Sequence, residues 1–141
     1  MNTVIAWKEK NIIRLDDHQI VLNGLTQWCE RENPEINIKN FKNSDEVFLL
    51  IITSLIKAEK IDLFITDFAH GGLNGYEMCK AIRALERALN RTGMPILLLT
   101  LYDRNVRVIK DGLEEGVFTR YLSLNTGPEE VIKCMEEIID S

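Results

Sequence analysis

The stretch that decides the fold is MPILLLT, residues 94–100, a nearly unbroken apolar run. Such a run suits a strand with both faces buried, as in the middle of a parallel sheet. A second apolar run, LFIT at residues 63–66, is followed directly by Asp67. The two runs predict the central strands of a sheet that helices cover on both faces.

Outward from these runs, short apolar segments alternate with longer segments of helical period. The predicted strands are 11–15, 36–41, 63–67, 94–100 and 118–123. The predicted helices are 18–32, 44–58, 74–90, 103–116 and 128–140. Their start signals are Ser44 and Asp103 as N-caps, a capping-box-like pair of Asn74 and Glu77, and Pro128 in a first turn. The pattern predicts an α/β fold, either a flavodoxin-like sheet or half of a Rossmann fold, with ligands at the carboxyl ends of the strands.

The composition is that of one soluble globular domain, with 141 residues, 45% hydrophobic and 28% charged. The net charge of −5 argues against direct nucleic-acid binding. The chain has no apolar run long enough to span a bilayer and no signal-peptide pattern, so we expect a cytoplasmic protein without membrane contact. Cys29, Cys79 and Cys134 are widely spaced, which predicts buried thiols. We assign residues 1–10 to an N-terminal extension and 11–141 to the domain.

Acidic and hydroxyl side chains stand at the carboxyl ends of the predicted strands. They are Asp16 and Asp17 after the first strand, Asp67 after the third and Thr100 at the end of the fourth. Crowded carboxylates repel one another unless a cation neutralises them. Oxygen ligands of this kind suit Mg²⁺, which binds one or two carboxylates together with a phosphate. The sequence therefore predicts a magnesium and phosphate site at this edge.

Two common nucleotide-binding patterns are absent. The chain has no G-x-x-x-x-G-K-[ST] loop, and no glycine follows the first strand to receive a pyrophosphate. A cluster of Gly71, Gly72 and Gly75 follows Asp67 instead. At that place glycine would let the backbone approach a phosphate on the Asp67 carboxylate.

Several separated segments carry a family resemblance. They are NIIRLDDHQIVLNGL at 11–25, DLFITD at 62–67, LNGYEMC at 73–79, PILLLT at 95–100, YLS at 121–123 and PEEV at 128–131. In order and spacing they resemble the receiver domains of NarL/FixJ-type (LuxR-type) response regulators in two-component signalling. The resemblance covers residues 11–140 and implies a flavodoxin-like (βα)5 sandwich with a parallel sheet of strand order 2-1-3-4-5.

The resemblance also implies roles for individual residues. Asp67 would accept a phosphoryl group from a sensor histidine kinase or phosphotransfer protein, Thr100 would hydrogen-bond that group, and Tyr121 would be the aromatic switch. The implied Mg²⁺ ligands are Asp16, Asp17, Asp67 and the backbone carbonyl of Ala69. Such a domain takes part in its own phosphorylation and dephosphorylation without being an enzyme. It would control a transcriptional output domain outside this chain.

The sequence departs from the family in two places. The phosphoacceptor loop has His70-Gly71 where Met-Pro is usual. The lysine that usually ends the fifth strand is replaced by Leu124, or by Ser123 when the position is counted from Gly116. The nearest basic residues in the sequence are Arg120 and Lys133. A missing cation removes a charge-assisted contact of about 1.5–3 kcal/mol.

These departures leave two alternatives to a phosphorylated receiver. One is a pseudo-receiver, an interaction module that keeps the fold without phosphorylation. The other is a Mg²⁺-dependent phosphatase with Asp67 as nucleophile, which is disfavoured because Ala69 stands where a second acid is needed. The last two helices and the fifth strand are expected to form one adjacent face, which is either an interface for a homodimer or a solvated surface of mixed charge. Its charges are Arg104, Arg107 and Lys110 on one helix and Glu129, Glu130, Glu136 and Glu137 on the other.

Overall fold

Strands and helices alternate through the computed structural model, which describes residues 5–16, 19–67 and 75–140. The strands are β1 Ile12–Leu15, β2 Ile38–Phe41, β3 Leu63–Thr66, β4 Ile96–Thr100 and β5 Arg120–Ser123. The α-helices are α1 Gln19–Glu32, α2 Ser44–Lys57, α3 Gly75–Ala88, α4 Arg107–Glu114 and α5 Pro128–Ile139. The strands are parallel in the order β2-β1-β3-β4-β5. This order confirms the predicted flavodoxin-like fold and excludes the Rossmann half.

The three central strands, β1, β3 and β4, are buried along their whole length. Because side chains alternate across a sheet, each strand contributes to two hydrophobic clusters. Ile13 and Phe64 belong to the cluster with α2, α3 and α4, and Ile12 and Leu63 to the cluster with α1 and α5. Trp7, in a short 3-10 helix, is buried in the second cluster. The described part of the N-terminal segment, from Ile5, therefore packs on the domain, and the division at residue 10 stays a prediction.

One predicted N-cap and one predicted helix start are wrong. Asn43, not Ser44, is the N-cap of α2, because its Oδ1 accepts from the backbone N–H of Asp45 at 2.8 Å and of Glu46 at 3.2 Å. Ser44 is buried in the first turn. The helix predicted from Asp103 begins only at Arg107, so Arg104, which was predicted to lie on this helix, stands in the turn before it. The Asp103 carboxylate instead accepts from the Asn105 N–H at 2.8 Å and caps a turn. Asn74, of the predicted capping box, lies outside the described residues.

The three cysteines are free and buried, as predicted. Burial raises the pKa of Cys29 to about 11 and that of Cys79 to about 12. These thiols are therefore protonated at neutral pH, and in the described part of the chain they pack as small apolar groups. No helix in that part is long and apolar enough to cross a membrane.

The contact between α4 and Phe118, which precedes β5, gives a test of the packing. A Cβ on Gly112 would lie 2.6 Å from two carbons of the Phe118 ring, which is 1% exposed and cannot move aside. We expect Gly112→Ala to destabilise the fold by about 1–3 kcal/mol through overpacking. That loss exceeds the gain of roughly 0.5–1 kcal/mol that alanine gives over glycine within a helix. Urea unfolding measures the change in the free energy of unfolding.

The matched control is Gly24→Ala in α1, where a Cβ meets no described atom within 4 Å. This variant should be as stable as the wild type or more stable, since only the helix preference acts. Equal stability of the two variants would contradict the packing described for Gly112.

Candidate functional site

Two carboxylates lie side by side at the carboxyl edge of the sheet. Leu15 of β1 pairs with Thr66 of β3, so Asp16 and Asp67, which follow them, are level with each other. The Asp67 N–H donates to the Leu15 carbonyl at 3.3 Å, and the Asp16 N–H donates to the carbonyl of Phe41 at 3.0 Å. The exposed fractions are 2% for Asp16 and 4% for Asp67. The structure therefore brings these two predicted site residues together on adjacent strands.

Thr100 and Tyr121 meet at the backbone of one residue, Tyr102. The Thr100 hydroxyl oxygen, fully buried, accepts from the Tyr102 N–H at 3.3 Å. The Tyr121 hydroxyl donates to the Tyr102 carbonyl at 2.7 Å. The ring of Tyr121 is partly buried against the cluster on the α2–α3–α4 side of the sheet. A movement of the Thr100 hydroxyl would therefore affect the hydrogen bond of Tyr121, because both side chains bond the backbone of Tyr102.

A buried cation, Arg14, lies beside the carboxylates and was missed as a site residue by the sequence interpretation. Its Nη2 contacts Asp16 Oδ2 at 3.4 Å, and its side chain is 1% exposed. Burial lowers the pKa of the Arg14 guanidinium, while the carboxylates of Asp16 and Asp67 and the Cys29 thiol oppose that shift. The available signal was a single charged residue inside a strand that the sequence predicts to be central.

At the position that usually holds lysine, the side chain is apolar and its surroundings are apolar too. Leu124 donates its N–H to the Thr100 carbonyl at 2.9 Å, and its side chain packs on the α1–α5 cluster. Ser123, paired with Thr100, accepts from the Asn125 N–H at 3.1 Å. Of the two basic residues nearest in sequence, Arg120 bonds Glu137 at 3.2 Å and Lys133 is exposed on α5.

Some predicted site residues lie outside the described residues. They are Asp17, Ala69, His70, Gly71 and Gly72. Across residues 5–16, 19–67 and 75–140, no three histidine, cysteine, aspartate or glutamate side chains form a group that could hold a metal ion. The described residues thus contribute two adjacent carboxylates to the predicted Mg²⁺ site, and the other implied ligands stay a prediction.

Comparison with known proteins gives a family. Residues 12–135 match the family model of the response regulator receiver domain. The transcriptional regulatory protein YvrH of Bacillus subtilis is 29% identical over 90 residues, which cover 64% of this chain and 33% of YvrH. The cyclic di-GMP phosphodiesterase response regulator RpfG of Xanthomonas campestris is 28% identical over 118 residues, 79% of this chain and 29% of RpfG. The chain thus spans about a third of these curated relatives.

Solved structures share the fold at low identity. The receiver domain of the Arabidopsis thaliana histidine kinase CKI1, complexed with Mg²⁺, has a TM-score of 0.72 and 17% identity, covering 92% of this chain and 91% of that one. The receiver domain of Saccharomyces cerevisiae Ssk1, co-crystallised with the histidine phosphotransfer protein Ypd1, has a TM-score of 0.72 and 21% identity. This match covers 91% of this chain and 87% of that one.

The bond from Tyr121 to Tyr102 gives a prediction for the free protein. Tyr121→Phe removes one hydrogen bond, so we expect a loss of about 0.5–1.5 kcal/mol in the free energy of unfolding. Amide hydrogen exchange between β4 and α4 should also become faster. The matched control is Tyr76→Phe, whose hydroxyl donates to Glu115 at 3.2 Å on the exposed surface. If both variants leave exchange in this segment unchanged, Tyr121 does not hold it.

Proposed function

The chain belongs to the response regulator receiver domain family, and from this premise we propose that Asp67 accepts a phosphoryl group from a histidine kinase or a histidine phosphotransfer protein. The observation that carries the proposal is the adjacent burial of Asp16 and Asp67 at the carboxyl edge of β1 and β3. The likeness to Ssk1, crystallised with its phosphotransfer protein, supports this class of donor.

The proposed step is a phosphoryl transfer to the Asp67 carboxylate. A carboxylate oxygen forms a bond to phosphorus while the bond from phosphorus to the donor nitrogen breaks. The electron pair of that bond leaves with the donor imidazole. The product is an acyl phosphate, and water can later hydrolyse it back to the carboxylate. The chain would therefore act as a reversible phosphoacceptor and not as an enzyme with its own substrate.

We further propose Mg²⁺ as the cofactor of this step. Asp16 and Asp67 fit it, because two adjacent carboxylates in a buried edge are hard oxygen ligands whose charges repel without a cation. Asp17 and the backbone carbonyl of Ala69 are the proposed further ligands. When bound, the ion would neutralise charge on the transferring oxygens. The Mg²⁺ complex of the CKI1 receiver domain supports the choice of metal.

The proposed response of the domain runs through Thr100 and Tyr121. A phosphoryl oxygen on Asp67 that accepts a hydrogen bond from the Thr100 hydroxyl would draw that hydroxyl inward. The Tyr102 N–H would lose its acceptor, and its carbonyl is the acceptor for Tyr121. The Tyr121 ring could then turn into the space that Thr100 leaves. This is a two-state element that phosphorylation can bias.

The finer placement among receivers is also proposed. We place the chain in the NarL/FixJ group, in the cytoplasm, as the control unit of a transcriptional output domain. The support is the sequence resemblance, Pro128 in the first turn of α5, and the match to YvrH, a transcriptional regulatory protein.

One observation favours a second candidate function. Leu124 stands where the family has lysine, and its side chain is packed on the apolar α1–α5 cluster. A receiver without that cation would serve as a phosphorylation-independent interaction module. Absence of phosphorylation on Asp67, with the fold intact, would favour this pseudo-receiver.

The direct test is intact-mass spectrometry after incubation with acetyl phosphate and Mg²⁺. We expect the mass gain of one phosphoryl group, lost in Asp67→Asn and in the presence of a chelator of Mg²⁺. The matched control is Asp62→Asn, an equal change before the amino end of β3, which should still be modified. A modification that persists in Asp67→Asn would overturn the assignment of the phosphoacceptor.

We also propose that α4, β5 and α5 form a homodimer face. Arg107 forms an intrahelical pair with Asp111 at 3.7 Å, and Leu101 and Tyr102 are exposed beside this face. Arg107→Glu should weaken self-association while Asp67 is still phosphorylated, because it reverses a charge that faces the acidic α5 of a second copy. Sedimentation measures the change, with Arg87→Glu on α3 as the control. A monomer with and without acetyl phosphate would contradict the dimer.

A further inference from the structure

We propose that the guanidinium of Arg14, on β1, binds the phosphoryl group on Asp67 in place of a lysine at the end of β5. The inference rests on the proposed function, since it requires that Asp67 is phosphorylated. It assigns to this chain a phosphate-binding cation on a different strand from the one that the family resemblance implies.

The register brings Arg14 within reach of Asp67. Arg14 pairs with Ile65 across β1 and β3, so Asp67 lies two residues further toward the carboxyl edge, roughly 7 Å along the strand. The guanidinium already covers this distance, because its Nη2 contacts Asp16, which is level with Asp67. Side chains two residues apart on a strand share a face, which places Arg14 and Asp16 on one side of the sheet.

The guanidinium has capacity for another anion. Its Nε and Nη1 are buried and have no hydrogen-bond partner among the described residues. A buried cation with unused donors opposes folding, so a purely structural pair with Asp16 gives a poor account of this arrangement. A phosphoryl group offers several acceptor oxygens, and the planar fork of arginine matches them in a bidentate contact.

Arg14 and Leu124 line the same cavity, of about 180 Å³, between α1 and α5. The remaining lining is mostly apolar, with Leu25, Leu99 and Val131, and Thr126 is the one polar residue described in it. A lysine at position 124 would place its charge in the space that Arg14 already faces. The chain thus has a leucine directly after β5 and a cation on β1, so the positive charge is relocated and not lost.

The test compares the rate of phosphorylation by acetyl phosphate with Mg²⁺ in four proteins. They are the wild type, Arg14→Met, Leu124→Lys and the double variant. We expect Arg14→Met to slow the formation of phosphorylated Asp67 by about tenfold or more, because one charge-assisted contact is lost. The double variant should recover most of the rate, since Leu124→Lys restores a cation to the same cavity.

Lys133→Met, which removes an exposed charge from α5, controls for net charge and should react as the wild type does. Thermal unfolding of each variant separates folding from phosphoryl binding. Equal rates for wild type and Arg14→Met would overturn the inference and leave the proposed function standing. No phosphorylation of the wild type would overturn both. An unrescued loss in a folded double variant would show that Arg14 serves only to position Asp16.

A second measurement keeps the inference testable if Arg14→Met fails to fold. The side-chain N–H signal of Arg14 in the wild type can be followed by ¹⁵N NMR before and after phosphorylation. We expect a large shift and slower exchange with water, because the unused donors gain acceptors. An unchanged signal beside fully phosphorylated Asp67 would overturn the inference.

Discussion

Burial of β1, β3 and β4 on both faces is the constraint on which the site depends. Because one face packs against α2, α3 and α4 and the other against α1 and α5, a shift in register would expose apolar side chains. The fixed register brings Asp16 level with Asp67 at the carboxyl edge. The chemistry of the edge is therefore a consequence of the packing, since the strands that hold the carboxylates cannot slide.

The same burial makes the charges at the edge costly unless they are paired. Arg14 and Asp16 lie in the interior, and the contact between Arg14 Nη2 and Asp16 Oδ2, at 3.4 Å, is long for a strong ion pair. A hydrophobic residue at position 14 would avoid the free-energy cost of desolvating a guanidinium. The buried charges at this edge therefore lower the stability of the fold, and such a local loss is common at functional sites.

The sequence predicted the order of elements and the central strands well, because two-sided burial leaves long apolar runs such as residues 94–100. Helix starts were harder. Asn43 and Ser44 are both good caps, and only the extended backbone of Asn43 decides between them. Asp103 bonds a turn ahead of α4, which a cap pattern cannot distinguish from a helix start. Of the predicted site residues, Asp16 and Asp67 lie level on adjacent strands, and their roles stay a prediction. The link between Thr100 and Tyr121 through Tyr102 depends on backbone positions that no motif encodes.

Arg14 was not among the predicted site residues. Arg14 and Leu124 are far apart in the sequence, and only the folded chain shows that both line one cavity. We propose that phosphate on Asp67 is coupled to Tyr121. Backbone amide NMR of the wild type, with Mg²⁺ before and after acetyl phosphate, tests this most directly. We expect the large shifts to include Thr100, Tyr102 and Tyr121 as well as the neighbours of Asp67. An unchanged spectrum, or shifts confined to the ends of β1 and β3, would contradict it.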